Sequence, residues 1–139
     1  AGLLRAERGT VERGDAALAD DTLALDAELP LARALGFWAG LTNSRERLPA
    51  ALDALDLSRL ADVPVRLLSA GQRKRAALAR VAASGAALWL LDEPANALDA
   101  DGQDRLDGLI AGHVAGGGAV LAASHGPLGG SWTRLELGA

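Results

Sequence analysis

The sequence predicts an α/β fold, a parallel β-sheet core carrying an α-helical subdomain, and three observations lead there. The apolar half of the 139-residue chain comes almost entirely from 31 Ala and 27 Leu, against 3 Trp, 1 Phe and no Tyr. Such a supply favours helices packed through small side chains and argues against an all-β sandwich, which needs aromatic and β-branched residues. Residues 86–91 (AALWLL) form a continuous apolar run that stops at Asp92-Glu93-Pro94, the pattern of a strand buried on both faces of a parallel sheet. From Ser69 onward the patterns alternate helix, strand, helix, strand, an order that right-handed crossovers join into one sheet.

The elements follow in chain order. Residues 10–12 (TVE) and 16–19 (AALA) read as two brief strands around the turn pair Gly14-Asp15. Leu3 and Leu4 read as the tail of a helix already under way, which is expected of a fragment. Pro30 suits the first position of a helix, where its fixed φ costs nothing. Leu31, Ala34, Leu35 and Trp38 then recur at helical spacing until Gly40 and Asn43 end the element. A second helix starts near Pro49 with Ala51, Leu52 and Leu55 on one face, and residues 57–67 form an irregular bridge containing Pro64. Residues 72–83 are rich in helix formers, with Ala76, Ala79 and Ala83 at close-packing spacing. A helix over 100–114 places Leu106, Leu109, Ile110 and His113 on its inner face, with His113 assigned to packing or a surface edge. Gly116-Gly117-Gly118 closes it, residues 119–123 make a second buried strand ending at Ser124-His125, and residues 132–137 alternate like a final strand.

Composition excludes several classes of function. Without cysteine there is no disulfide framework, thiolate zinc site or cysteine nucleophile. A net charge of −4 provides no basic field for nucleic acid, which is not expected as a partner. The opening AGLLRAERGTVERG lacks the layout of a secretory signal. Residues 108–133 carry no Asp, Glu, Lys or Arg and are long enough to cross a bilayer, yet eight glycines and Pro127 cut the stretch into short pieces, so a soluble chain is expected. Of 14 basic residues only Lys74 is a lysine, and it stands in Gln72-Arg73-Lys74-Arg75 rather than in a glycine-rich phosphate loop.

Three features carry chemistry. Leu68-Ser69-Ala70-Gly71-Gln72 opens a helix, where free N–H groups and the dipole favour an anion and Gly71 allows close approach, although Ser at a helix start also serves as a plain cap. Asp92 and Glu93 leave the C-terminal end of a buried strand, where open α/β sheets place ligands. Adjacent residues at a strand end point differently, so one carboxylate can hold Mg²⁺, usually through water, while the other orients or deprotonates an attacking water. Ser124-His125 ends the next strand, where an imidazole can sense or polarise a terminal phosphate.

In combination, and in this order, these features resemble the ATP-binding cassette ATPases, whose fold is a P-loop NTPase-like parallel sheet with a helical subdomain. LSAGQ resembles the signature motif, LWLLDE the Walker B strand, NALD (residues 96–99) the D-loop and His125 the switch histidine. The resemblance implies that Asp92 serves Mg²⁺, that Glu93 is the general base for ATP hydrolysis and that His125 contacts the γ-phosphate. Asp99 would signal across a homodimer, and Ser69, Ala70, Gly71 and Gln72 would touch ATP held by the other subunit. It further implies docking on transmembrane permease subunits at the cytoplasmic face of the bacterial inner membrane. LSAGQRKRAALAR, Phe37-Trp38 after Pro30 and DEPANALD are closest to the heme-exporter type acting in cytochrome c maturation. Core filling is the simpler role for Trp38. Another exported substrate, or a non-catalytic remnant that binds a partner, are the alternatives.

On this resemblance residues 1–29 are a remnant of the ATPase core, 30–70 the helical subdomain ending at the signature, and 71–139 the core with Walker B, D-loop and switch histidine. The phosphate loop is expected upstream of Ala1, leaving the core incomplete, uncovered at a sheet edge and unable alone to bind ATP tightly or turn it over. No Gln precedes Gln72, and the segment matching the Q-loop offers Asp20, Asp21 and Thr22 instead.

Overall fold

The computed structural model describes residues 14–20, 22 and 24–135. The expected strand at residues 10–12 and the helix tail at Leu3 and Leu4 lie outside them. In chain order the elements are β1 (Ala16–Ala19), α1 (Leu31–Leu41), α2 (Leu48–Ala54), α3 (Ala70–Ala83), β2 (Leu88–Asp92), α4 (Ala100–Ala115) and β3 (Ala119–Ala123). Single 3₁₀ turns at Arg45–Arg47, Ser58–Leu60 and Val65–Leu67 join the helices of the first half.

The three strands form one parallel sheet in the order β1-β2-β3. Leu18, Leu90 and Leu121 share one register row, and Ala17, Trp89 and Val120 the adjacent one. Because side chains alternate along a strand, these rows face opposite sides. Trp89 and Leu91 are buried toward the helices, whereas Leu88 and Leu90 are only half-buried. The expectation of burial on both faces therefore holds for one face of β2. It fails for β3, which lies at the edge of the sheet among the described residues and leaves Leu121 51% exposed. An Ala/Val/Leu strand reads as buried wherever it lies; its burial is decided by what packs beside it. Residues 132–135 form no strand, and 136–137 lie outside the described residues. Trp132 instead turns its indole N–H back onto the Gly129 carbonyl at 2.8 Å, a local contact that replaces a ladder.

Pro30 sits just before α1 rather than at its first position, with extended geometry (φ −53°, ψ 141°). Lacking a cap side chain, α1 satisfies its first free donors on the backbone of the bridge segment: Leu31 N–H reaches Val63 O at 3.0 Å and Ala32 N–H reaches Ala61 O at 2.9 Å. Pro30 pairs with Pro64 in an isolated antiparallel bridge. Thus the prolines and the bridge segment fasten the helical half to itself. Pro49 occupies the first turn of α2, where its missing N–H leaves no bond unmade.

α3 is the spine of the molecule. Its Ala76, Leu78, Ala79, Val81 and Ala83 are buried against α1, α2 and β1. The small residues let neighbours approach closely while Leu78 and Val81 fill the gaps. Each fully buried Leu or Val contributes roughly 1.5–3 kcal/mol. One apolar cluster joins Leu31, Leu35, Leu55 and Leu57 from the helical half to Trp89, Leu91, Leu106 and Ile110. On α4, His113 lies flat on Trp89, 3.8 Å between centroids and 9° between planes, with Nε2 3.2 Å from Ala87 O. That is the packing role expected of it. No helix among the described residues is long and apolar enough to cross a membrane.

Candidate functional site

The C-terminal ends of β2 and β3 stand side by side, Asp92 in register with Ala123. The chain turns sharply at Glu93, whose φ of 45° is unusual for a residue with a Cβ and costs on the order of 1–3 kcal/mol. Its N–H holds the turn by donating to Ala123 O at 2.8 Å. The turn aims the Glu93 carboxylate across the sheet edge, where it accepts the His125 backbone N–H at 3.1 Å and pairs with His125 Nδ1. Glu93 is 26% exposed and the His125 side chain 98%. The pair is thus open to solvent on the histidine side.

Asp92 leaves the same strand end with its carboxylate exposed. Its carbonyl is held from behind by Lys74 of α3, a buried side chain whose Nζ donates at 3.1 Å. That contact was not legible in the sequence, where Lys74 stands out only for being outside a phosphate loop. No three His, Asp or Glu side chains converge into a metal cage among the described residues. One exposed carboxylate beside an acid and an imidazole suits Mg²⁺, which keeps several waters and takes its remaining ligands from substrate phosphates.

A second cluster lies at the start of α3. Ser69 caps the helix: its Oγ accepts the Gln72 N–H at 3.2 Å while Gln72 Oε1 accepts the Ser69 N–H at 2.8 Å. This reciprocal capping box is worth about 1 kcal/mol, and it turns the Gln72 side chain inward onto the cap. Ala70 begins the helix and is exposed. A Cβ at Gly71 would lie 2.9 Å from the Ala97 carbonyl, so the absent side chain lets the two segments touch. Ala97 has a φ of 63°, and Asp99 caps α4 by accepting the Gly102 N–H at 2.9 Å. Ser69, Gly71, Gln72, Arg75, Ala97, Leu98 and Asp99 line one cleft of about 320 Å³. The structure therefore brings Glu93 and His125 together at one place and residues 69–72, 97 and 99 together at another. The two groups share no hydrogen bond among the described residues.

At the end of β1, Asp20 accepts the Thr22 hydroxyl at 2.6 Å and the Thr22 N–H at 3.0 Å. The hydroxyl bond is the main cause that holds Asp20 below the ordinary carboxylate value, with Arg80 adding a smaller pull. A carboxylate depressed in the folded state contributes stability above its unfolded pKa and loses it as pH falls through the folded value. Thr22→Ala is expected to move the Asp20 titration upward in a carboxyl NMR pH series; an unmoved titration would refute the assignment. Asp21 lies outside the described residues. Of the aromatic pair, Phe37 is 59% exposed and Trp38 is half-buried outside the core cluster, its ring meeting Arg80 and Phe37, so core filling describes neither.

Comparison with known proteins places this geometry in a family. Residues 2–96 match the family model described as ABC transporter. The chain is 57% identical over 127 residues to the cytochrome c biogenesis ATP-binding export protein CcmA of Sphingopyxis alaskensis, covering 90% of this chain and 66% of that protein. It is 60% identical over 129 residues to the CcmA of Novosphingobium aromaticivorans, covering 92% and 65%. The chain thus spans just under two thirds of the length of these relatives. Among solved structures, an ATP-binding cassette captured as a dimer in a post-hydrolysis state with ADP and Pi superposes with a TM-score of 0.72 at 22% identity, over 81% of this chain and 53% of that one. An RNase-L inhibitor gives 0.72 at 24% identity, over 89% and 25%. At these identities the likeness concerns the fold. With its sheet, its strand-end acids and more than half its length matched, the chain belongs to the ABC transporter family.

Proposed function

We propose that this chain is part of the ATP-hydrolysing subunit of an exporter acting in cytochrome c biogenesis, working as a homodimer on a membrane permease at the cytoplasmic face of the bacterial inner membrane. The observation that carries the reading is the pairing of Glu93 with His125 across the aligned ends of β2 and β3. Heme is the cargo this reading assigns, from the resemblance of LSAGQRKRAALAR and DEPANALD to the heme-exporter type, and relatives named for cytochrome c biogenesis and export support it. The division into core remnant (1–29), helical subdomain (30–70) and core (71–139) belongs to the same proposal.

The chemistry follows from the side chains. Glu93 takes the proton of the attacking water, and its partly buried position keeps the carboxylate aimed by the Ala123 bond. A carboxylate has about four lone-pair sites, so its bonds to His125 leave room for a water. His125, whose ring is exposed, orients Glu93 and stands where it can contact a terminal phosphate. Asp92 is the carboxylate for Mg²⁺, which when bound neutralises charge developing on the phosphates. The Ser69–Asp99 cleft meets the nucleotide of the opposite subunit, with Gly71 letting donors approach and Asp99 linking that contact to α4.

These 139 residues contain no glycine-rich loop ending in Lys-Ser or Lys-Thr. Backbone N–H groups and the lysine of such a loop supply most of the grip on β- and γ-phosphates. Calorimetric titration of the 139-residue polypeptide with Mg·ATP is therefore expected to show no micromolar binding, whereas the intact protein binds and hydrolyses ATP. Micromolar binding by the polypeptide, or no binding by the intact protein, would contradict this reading.

A further inference from the structure

One side chain outside both clusters touches three elements at once. Arg80, near the end of α3, donates from Nη2 to Leu18 O of β1 at 2.7 Å and lays its guanidinium 4.9 Å from the centre of the Trp38 ring on α1. Trp38 in turn donates its indole N–H to Ala24 O at 2.6 Å. The segment leaving β1 is thereby gripped before and after Asp20: at Leu18 by the guanidinium, and at Ala24 by the ring on which that guanidinium rests.

The cost of this arrangement indicates that it does more than fill space. Arg80 Nε is buried without a hydrogen-bond partner, and burial pulls the guanidinium below its usual pKa, with only the charge of Asp20 opposing. An apolar side chain would fill the same space without an unmade bond. What an apolar residue could not provide is a planar donor that bonds a strand carbonyl and stacks on a ring in the same pose. The gripped segment matters because β1 runs parallel to β2, with Ala19 level with Leu91. Asp20 and Thr22 therefore emerge at the same end of the sheet as Asp92 and Glu93.

We propose that Arg80 is a positioning residue that, with Trp38, holds Leu18 and Ala24 on either side of Asp20 and Thr22 and so sets where those two side chains stand at the strand ends. The clamp ties the helical half to the sheet through one polar contact, and movement of α1 relative to β1 must break or carry it.

The test uses the intact ¹⁵N-labelled protein and needs no ATP turnover, so its outcome is separate from that of the proposed function. Arg80→Lys keeps the charge and loses the planar fork. It is expected to speed exchange of the Trp38 indole proton about tenfold, the scale of one charged-donor hydrogen bond. Arg80→Ala is expected to do the same and also to speed amide exchange at Thr22, whose N–H bonds Asp20 in the gripped segment and which a purely space-filling Arg80 would not affect. Trp38→Phe removes the Ala24 bond while keeping an aromatic ring beside Arg80, and is expected to speed amide exchange at Thr22; it decides the matter if neither Arg80 variant folds. An unchanged Trp38 indole and unchanged Thr22 amide exchange in folded Arg80 variants, or unchanged Thr22 exchange in Trp38→Phe, would overturn the proposal.

Discussion

Replacing Glu93 by Gln is expected to lower ATP turnover by the intact protein about 100-fold or more while leaving its fold unchanged. Loss of a positioned general base typically removes a factor of roughly 10²–10⁴. Gln keeps the size of Glu and one acceptor oxygen for the His125 N–H, so the turn at residue 93, held by the Ala123 carbonyl, has no reason to open. Steady-state phosphate release, alongside a thermal melt, separates chemistry from folding. His125→Ala removes the ring and spares the backbone N–H that Glu93 accepts; it is expected to lower turnover less, because the base remains. Turnover unchanged in Glu93→Gln would remove the catalytic assignment and leave a partner-binding role as the better account.

The second large effect is expected at Gly71. A Cβ there meets the Ala97 carbonyl at 2.9 Å, and a backbone atom cannot swing aside as a side-chain end can. In a helix, Gly→Ala alone would gain about 1 kcal/mol of propensity. Overpacking costs about 1–3 kcal/mol, so the two partly cancel for Ala, and Val, with lower propensity and more bulk, is clearly destabilising. The larger consequence is geometric: the 96–99 turn must shift away from the start of α3. Misplacement of about 1 Å at a reacting site costs up to about 100-fold in rate. Gly71→Val is therefore expected to reduce turnover at least tenfold with a modest fall in unfolding midpoint, measured by phosphate release and urea titration. Wild-type turnover in a folded Gly71→Val protein would show that contact with Ala97 has no part in the function.

Much of the fold was legible because local signals agreed with one another. The Ser69 cap is legible as a small hydroxyl at the start of a helix-forming run, and the structure adds the reciprocal bond from Gln72 that completes a capping box. The apolar run at residues 86–91 reads as a strand by its length and context, and the observed strand, Leu88–Asp92, starts two residues later and ends one later. What stayed hidden depends on contacts between distant residues. Nothing near residue 120 says that β3 lies at an edge of the sheet among the described residues, and nothing near residue 74 or 80 says that those cations reach the ends of β2 and β1. The site follows the same rule. Asp92, Glu93 and His125 could be read as strand-end residues, but the direct grip of Glu93 on His125 arises from the left-handed turn at 93, for which a Glu gives no sign. In the sequence Gly71 reads as a point of close approach for an anion, and its contact with the Ala97 carbonyl is visible only in the structure.

The central claim is that the strand-end pair and the α3 cleft serve one nucleotide from two subunits. A structure of the intact Glu93→Gln protein with Mg·ATP tests it most directly. The expected result is a dimer with each γ-phosphate between His125 of one subunit and residues 69–72 of the other. ATP bound away from residues 92, 93 and 125, or fully enclosed within a single subunit, would contradict it.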